Sequence, residues 1–235
     1  MKLRLALILL MIGLTGWTAA AAEKAPKPMD PSFAPVTEAP SLPRVLLIGD
    51  SISMGYTLPV RSRLAGQANV LRPAQNCSET ARGLQSLDEW LGAGKWDVIH
   101  FNFGLHDLKY LDEKGAYVTP DKGQQVASVE QYEKNLRTLV ARLKRSGAKL
   151  IFATTTPVPG GSQGRVEKDE LRYNEVAVRV MGETGVAVDD LHALAVLRQK
   201  MIQLPHNVHF TKDGYEQLAD QVVASIRGRL PSAAP

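Results

Sequence analysis

Residues 45–53 read VLLIGDSIS: Val45, Leu46, Leu47 and Ile48 run without a polar break, Gly49 ends the run, and Asp50, Ser51, Ile52 and Ser53 follow. An apolar run with no alternation is the pattern of a strand buried on both faces, which is the condition of strands in a parallel sheet. The residues after it place a serine at a strand-to-helix turn, where backbone N–H groups are unpaired and the hydroxyl points out of the sheet. That position suits a nucleophile, and it equally suits a helix N-cap.

Outward from this stretch the same kind of run recurs at 70–71, 96–103, 150–153 and 186–188. Helical periodicity fills 83–91, 128–145, 166–183, 191–203 and 212–230 between them. In 128–145, Ser128 and Gln131 have capping-box spacing, Leu136, Leu139, Val140 and Leu143 share one stripe, and Gly147 can close the helix left-handed. Lys134, Arg137, Arg142 and Lys144 then form its solvated face. Strands alternating with helices imply a parallel sheet of about five strands with helices on both sides, and ligands in such sheets sit beyond the strands' carboxyl ends. The loops at 49–54, 73–82, 104–108, 154–164 and 206–210 are therefore where function is expected.

The chain of 235 residues, 44% hydrophobic and 22% charged, has room for one such domain, placed at 44–230. Before it, 1–22 has the charge, short apolar run and Ala20-Ala21-Ala22 end of a secretory signal peptide, which implies a secreted or periplasmic protein with no stable membrane insertion of the mature chain. Losing Lys2 and Arg4 with it lowers the net charge from +4 to +2. Residues 23–43 carry six prolines and read as a linker, and 231–235 as a tail. This modest charge, with no basic run interleaved with aromatics, does not point to a nucleic-acid partner, and none is expected. A lone cysteine, Cys77, excludes an internal disulfide and a cysteine-built metal site.

Near the other end, 207–215 reads NVHFTKDGY and sets His209 just before a capped helix, a position that disfavours imidazolium and keeps the ring basic. A serine turn at one end and this histidine at the other carry a resemblance. With NCSETARGL at 76–84 and FGLHD at 103–107, the chain resembles the SGNH, or GDSL-type, hydrolases over about residues 44–228. The resemblance implies a flavodoxin-like three-layer α/β/α sandwich and a serine esterase with no cofactor. It implies Ser51 as nucleophile, His209 as base, and an oxyanion hole built from the Ser51 N–H, a second-block N–H and a third-block side chain.

Two blocks depart from the family pattern. The second-block glycine is replaced near Cys77 or Ser78, and Cys77 is taken as the donor. The third-block asparagine is replaced by His106, which can donate one N–H if its tautomer is fixed. Asp107 could orient that ring or serve the local turn. The acid normally three residues before the histidine is here His206, so either Asn207 or a backbone carbonyl holds His209, or the remote Asp190 does. Asp50 and Asn76 are candidate substrate contacts, and Asn76 could instead cap its turn. A metal centre from His100, His106, Asp107, His206 and His209 is set aside, because His100 lies within a strand and the His206/His209 pair lies in a loop.

The expected function is a secreted esterase that hydrolyses short-chain esters, acetyl foremost, on a small-molecule or carbohydrate substrate. The lean toward short acyl groups rests on the lack of a long apolar lid segment between the blocks. The loops 109–123 and 159–164 are candidate borders of its pocket. The alternatives are a non-catalytic carbohydrate-binding member of the same scaffold and a lipase or lysophospholipase of the same family.

Overall fold

The computed structural model describes residues 29–231. The signal-peptide reading of 1–22, the start of the linker and most of the tail lie outside these residues. Five strands form one parallel sheet: β1 (Arg44–Ile48), β2 (Asn69–Leu71), β3 (Val98–Phe101), β6 (Lys149–Ala153) and β7 (Ala187–Asp189), in the order β2-β1-β3-β6-β7. Two short strands, β4 (Tyr110–Leu111) and β5 (Gln124–Gln125), make a separate antiparallel ribbon. The helices are α1 (Ser51–Arg63), α2 (Thr80–Leu91), α3 (Val129–Lys144), α4 (Glu170–Thr184), α5 (Leu191–Ile202) and α6 (Lys212–Arg227). Helix α6 packs on α1 and α5, while α3 packs on α2 and α4, so the sheet is flanked by helices in three layers.

The apolar run of β1 lies inside this arrangement, between β2 and β3. Val45, Leu46, Leu47 and Ile48 are all buried, because β1 has a strand on each side and a helix layer above and below. Helix α3 buries Leu136, Leu139, Val140 and Leu143, and leaves Lys134 and Lys144 exposed. Only half of its capping box forms. Ser128 Oγ accepts from the Gln131 N–H, while the Gln131 side chain donates to Asn135 instead of reaching back.

Three elements differ from expectation. Helix α1 has no clear apolar stripe and carries Pro59 inside it, so periodicity alone does not mark it. Helix α4 begins at Glu170, not 166, after Lys168 adopts a left-handed φ of 63°. The described part of 23–43 is also no free tether: Asn69 pairs with the backbone of Ala39 and Leu42, Arg61 donates to Ala34, and Phe33 lies under the Arg72 guanidinium. Prolines remove few needed donors there, because side chains of the domain satisfy the remaining backbone groups.

Pro59 in α1 removes the N–H that would donate to the Gly55 carbonyl one turn earlier. Gly55, lacking a side chain, lets the Tyr215 ring of α6 press against the helix. A Cβ on Gly55 would lie 2.1 Å from that ring. Gly55→Ala should gain up to about 1 kcal/mol in helix propensity and lose about 1–3 kcal/mol by overpacking. The expected net result is a lower thermal midpoint, by up to about 4–8 °C, measured by thermal unfolding. A midpoint that stays or rises would show that Tyr215 yields without cost.

Candidate active site

The Asp50 carboxylate caps α1 by accepting the Ile52 N–H at 2.9 Å, which leaves the Ser51 hydroxyl free of capping duty. The turn is held from beneath by Arg72. Its Nη1 donates to Ser53 Oγ and Thr57 Oγ1 and its Nη2 to the Gly49 and Gln75 carbonyls. A Cβ on Gly49 would meet Ser53 at 2.9 Å, so glycine is required where β1 turns into α1. Sequence reading did not single out Arg72. Its only signal was an arginine directly after a strand that packs beside β1.

His209 arrives on a loop closed by a bridge between Gln203 and Phe210, with the Leu204 N–H donating to the His209 carbonyl. Its Nε2 lies 2.8 Å from Ser51 Oγ, across 158 positions of sequence. Asn207 Oδ1 accepts from the His209 backbone N–H at 3.0 Å and faces Nδ1 at 2.8 Å. A backbone N–H can only donate, so this atom is the amide oxygen, and Nδ1 must carry a proton toward it. Nε2 is thereby the lone-pair nitrogen, turned to accept the serine proton. Burial pushes the His209 pKa below its ordinary 6.5, Asp50 opposes this, and Arg165 adds to it.

Of the two orienting candidates, Asn207 is therefore the one beside His209. Asp190 instead caps α5, accepting from the Ala193 N–H and from Thr154 Oγ1. His206, held at a left-handed φ of 54°, sends Nδ1 to the Gly160 carbonyl at 2.7 Å and so fastens the histidine loop to the 159–164 loop.

The oxyanion candidates divide. The Ser51 N–H, at the first position of α1, has no acceptor within the helix. The Cys77 N–H donates to the Gly49 carbonyl at 3.2 Å, so Cys77 is corrected from an oxyanion donor to a backbone tie with a buried thiol pushed up to about 11 by burial. Ser78, at φ 58°, has the left-handed backbone that glycine adopts freely, and its N–H goes to Asn76 Oδ1 at 2.9 Å. That bond leaves the Asn76 amide NH2 free at the cavity wall. Asp50, 1% exposed, is a cap and not a substrate contact.

Two groups compete for His106 Nδ1. Lys109 Nζ, which can only donate, lies 3.1 Å from it and favours the proton on Nε2. Ser78 Oγ lies within 2.9 Å of the same atom, and while its own proton goes to Glu79 it can only accept there. Burial lowers the His106 pKa, Asp50 opposes this, and Lys109 and Arg165 reinforce it. Asp107 turns away from the ring and accepts both the Thr80 N–H and its hydroxyl, tying α2 to the third block. Burial pushes its pKa up to about 7 against those two bonds.

Ser51, Asn76, His106 and His209 line one cavity of about 490 Å³, with Tyr117 from one loop, Gly161 to Gln163 from another, and Arg165. Both loops named as possible borders do contribute to it, whereas Arg165 was not anticipated. His100 is remote, paired with Asp189 inside the sheet. Among the described residues no group of three or more His, Cys, Asp or Glu is placed to hold a metal ion, and no helix is long and apolar enough to cross a membrane.

The model of the GDSL-like Lipase/Acylhydrolase family matches residues 47–217. No curated protein matches the sequence. Among solved structures, a lipase/acylhydrolase from Enterococcus faecalis is 21% identical with a TM-score of 0.67, covering 83% of this chain and 100% of its own. An acetylxylan esterase from Geobacillus stearothermophilus is 20% identical with a TM-score of 0.62, covering 78% of this chain and 94% of its own. At such identities the likeness is one of fold.

A base must be neutral to accept a proton, so activity should rise with pH through the His209 pKa, with the acidic limb of kcat/KM below pH 6.5. Asn207→Asp places a carboxylate beside Nδ1, raises that pKa, and should move the limb upward by about one unit. Asn207→Ala should cost about 10- to 100-fold in kcat, since the bond it removes is charge-assisted once the ring is protonated. pH–rate profiles of the three proteins check this, and a limb that Asn207→Asp leaves in place would show that Asn207 does not govern the base.

Proposed function

Since the chain belongs to the GDSL-like lipase/acylhydrolase family and is a carboxylic ester hydrolase, we propose that it cleaves short-chain esters, acetyl esters of saccharides foremost, through an acyl-enzyme on Ser51. The observation that carries this reading is the 2.8 Å contact between Ser51 Oγ and His209 Nε2. Ser51 Oγ attacks the ester carbonyl while its proton passes to Nε2. The oxyanion forms beside the Ser51 N–H and the Nε2–H of His106, with the Asn76 amide as a further donor. The tetrahedral species collapses as His209 returns the proton to the departing alcohol, and a water activated by the same ring then frees the acid.

Asn207 replaces a carboxylate in this scheme. It holds the tautomer as an acid would but offers no charge to the imidazolium, so His209 works as a weaker base. The mouth is bordered by Tyr117 and the polar 161–163 segment, and this polar lining supports short acyl groups. One of the structural neighbours is named an acetylxylan esterase, and that supports, for this chain, a saccharide alcohol. The N-terminal 22 residues support export, so an external substrate is part of the reading.

Ser51→Ala should abolish hydrolysis of p-nitrophenyl acetate and labelling by a fluorophosphonate, and unchanged turnover would end the mechanism. His106→Ala should lower kcat by about 10²- to 10³-fold, with His106→Asn milder because an amide also donates. A chain-length series of p-nitrophenyl esters should fall off beyond short acyl groups, and a rise toward long chains would favour a lipase instead.

A further inference from the structure

Arg165 contributes the one formal charge among the residues that line the cavity at Ser51, and no carboxylate lines it. The guanidinium is fixed in place, with Nε donating to the Leu105 carbonyl at 2.9 Å and Nη1 to the Gln163 carbonyl at 3.1 Å. Both acceptors are neutral. Nη2 donates to no acceptor among the described residues and no carboxylate forms an ion pair with the group, while the Tyr117 hydroxyl and the Asp50 charge act on it from farther off.

Its neighbour is a second cation. Lys109 Nζ lies 5.5 Å from the centre of the Tyr117 ring and the Arg165 guanidinium 5.7 Å from it, and Lys109 likewise has no carboxylate among the described residues. Elsewhere the molecule pairs its surface arginine clusters with acids, while Arg61 and Arg72 are held by carbonyls and hydroxyls. Arg63 is bound by Glu216 and Asp220, and Arg137 and Arg179 share Glu133 and Glu183. The acids near the site form no ion pair with either cation: one Asp50 oxygen caps α1 and the other is buried without a partner, so its charge is felt only at a distance, and Glu79 accepts the Ser78 hydroxyl. Two like charges on one ring, partly withdrawn from water and with no carboxylate in direct contact, repel each other and invite an anion.

We propose that Arg165 determines specificity by taking an anionic group of the substrate, so that the preferred ester is an acetylated saccharide bearing a free carboxylate, such as a uronic acid. The free Nη2 and the remaining Nη1 hydrogen form the planar edge that matches a carboxylate in two parallel bonds. Lys109 strengthens the positive field while remaining on His106 Nδ1. This inference rests on the esterase reading, since it names the alcohol part of the same substrate.

The test uses fluorophosphonate labelling of Ser51 in the full-length protein, timed alone and with glucuronate, glucose or inorganic phosphate. Glucuronate should protect Ser51 at concentrations about 10- to 100-fold lower than glucose, the range of a charge-assisted contact. Arg165→Gln should bring the two sugars within about threefold of each other, and Arg165→Lys should fall between, with protection weakening as salt is raised. Phosphate protecting as well as glucuronate would mean that the site reads charge without the sugar, and would overturn the saccharide part of the proposal. Normal labelling with no preference for glucuronate, or a preference that survives Arg165→Gln, overturns the proposal and leaves the esterase reading intact. Absence of labelling ends both.

Discussion

A hydrogen bond of 2.8 Å between Ser51 Oγ and His209 Nε2 closes a loop of 158 residues, and most of the fold can be read as what makes that closure possible. The serine is delivered by the C-terminal end of β1, the central strand of the switch in strand order, where β2 lies to one side and β3 to the other. The histidine is delivered by the α5–α6 connection, so its position depends on how α6 packs on α1. Gly55 and Tyr215 set that approach. Closing so long a loop costs chain entropy that a single hydrogen bond cannot offset, so the buried sheet and helices supply the difference.

Polar groups beneath the site perform a second kind of fixing. Arg72 is a buried cation without a carboxylate, yet its donors find carbonyls and hydroxyls of Gly49, Ser53, Thr57, Pro73 and Gln75. It thus joins the nucleophile turn to the segment after β2. Asp107 joins α2 to the third block in the same way, through Thr80. Both are costly to bury and well satisfied on one side, and Asp107 shows the cost directly in its raised pKa.

The two histidines at the site are held in complementary states by their neighbours. Asn207, an acceptor, puts the proton of His209 on Nδ1 and frees Nε2 as a base. Lys109, a donor, favours the His106 proton on Nε2, the state in which that ring is a donor. Burial and the nearby Arg165 lower both pKa values, which favours the neutral rings that each role needs. Without a carboxylate in the triad position, this neutral pair is what the site has to work with.

Sequence alone determined the parallel three-layer fold, because β1, β3 and β6 are short apolar runs whose burial on both faces is a local property of composition. It also determined that Ser51 and His209 belong to one chemistry, because their blocks are recognisable as strings. It implied a helix after the Ser51 turn without giving the extent of α1, whose burial follows from α6 and not from a stripe of its own, and it did not reveal the docked prolines of 30–43, which are held by Asn69 and Arg61. Which N–H groups remain free could not be read either: Cys77 spends its donor on Gly49 and Asp190 spends its acid on α5. Arg165 joined the site only when the loop bearing it folded over Leu105. Hydrogen-bond partners and the fields between charges are properties of distance in space, and only the tertiary structure sets those distances.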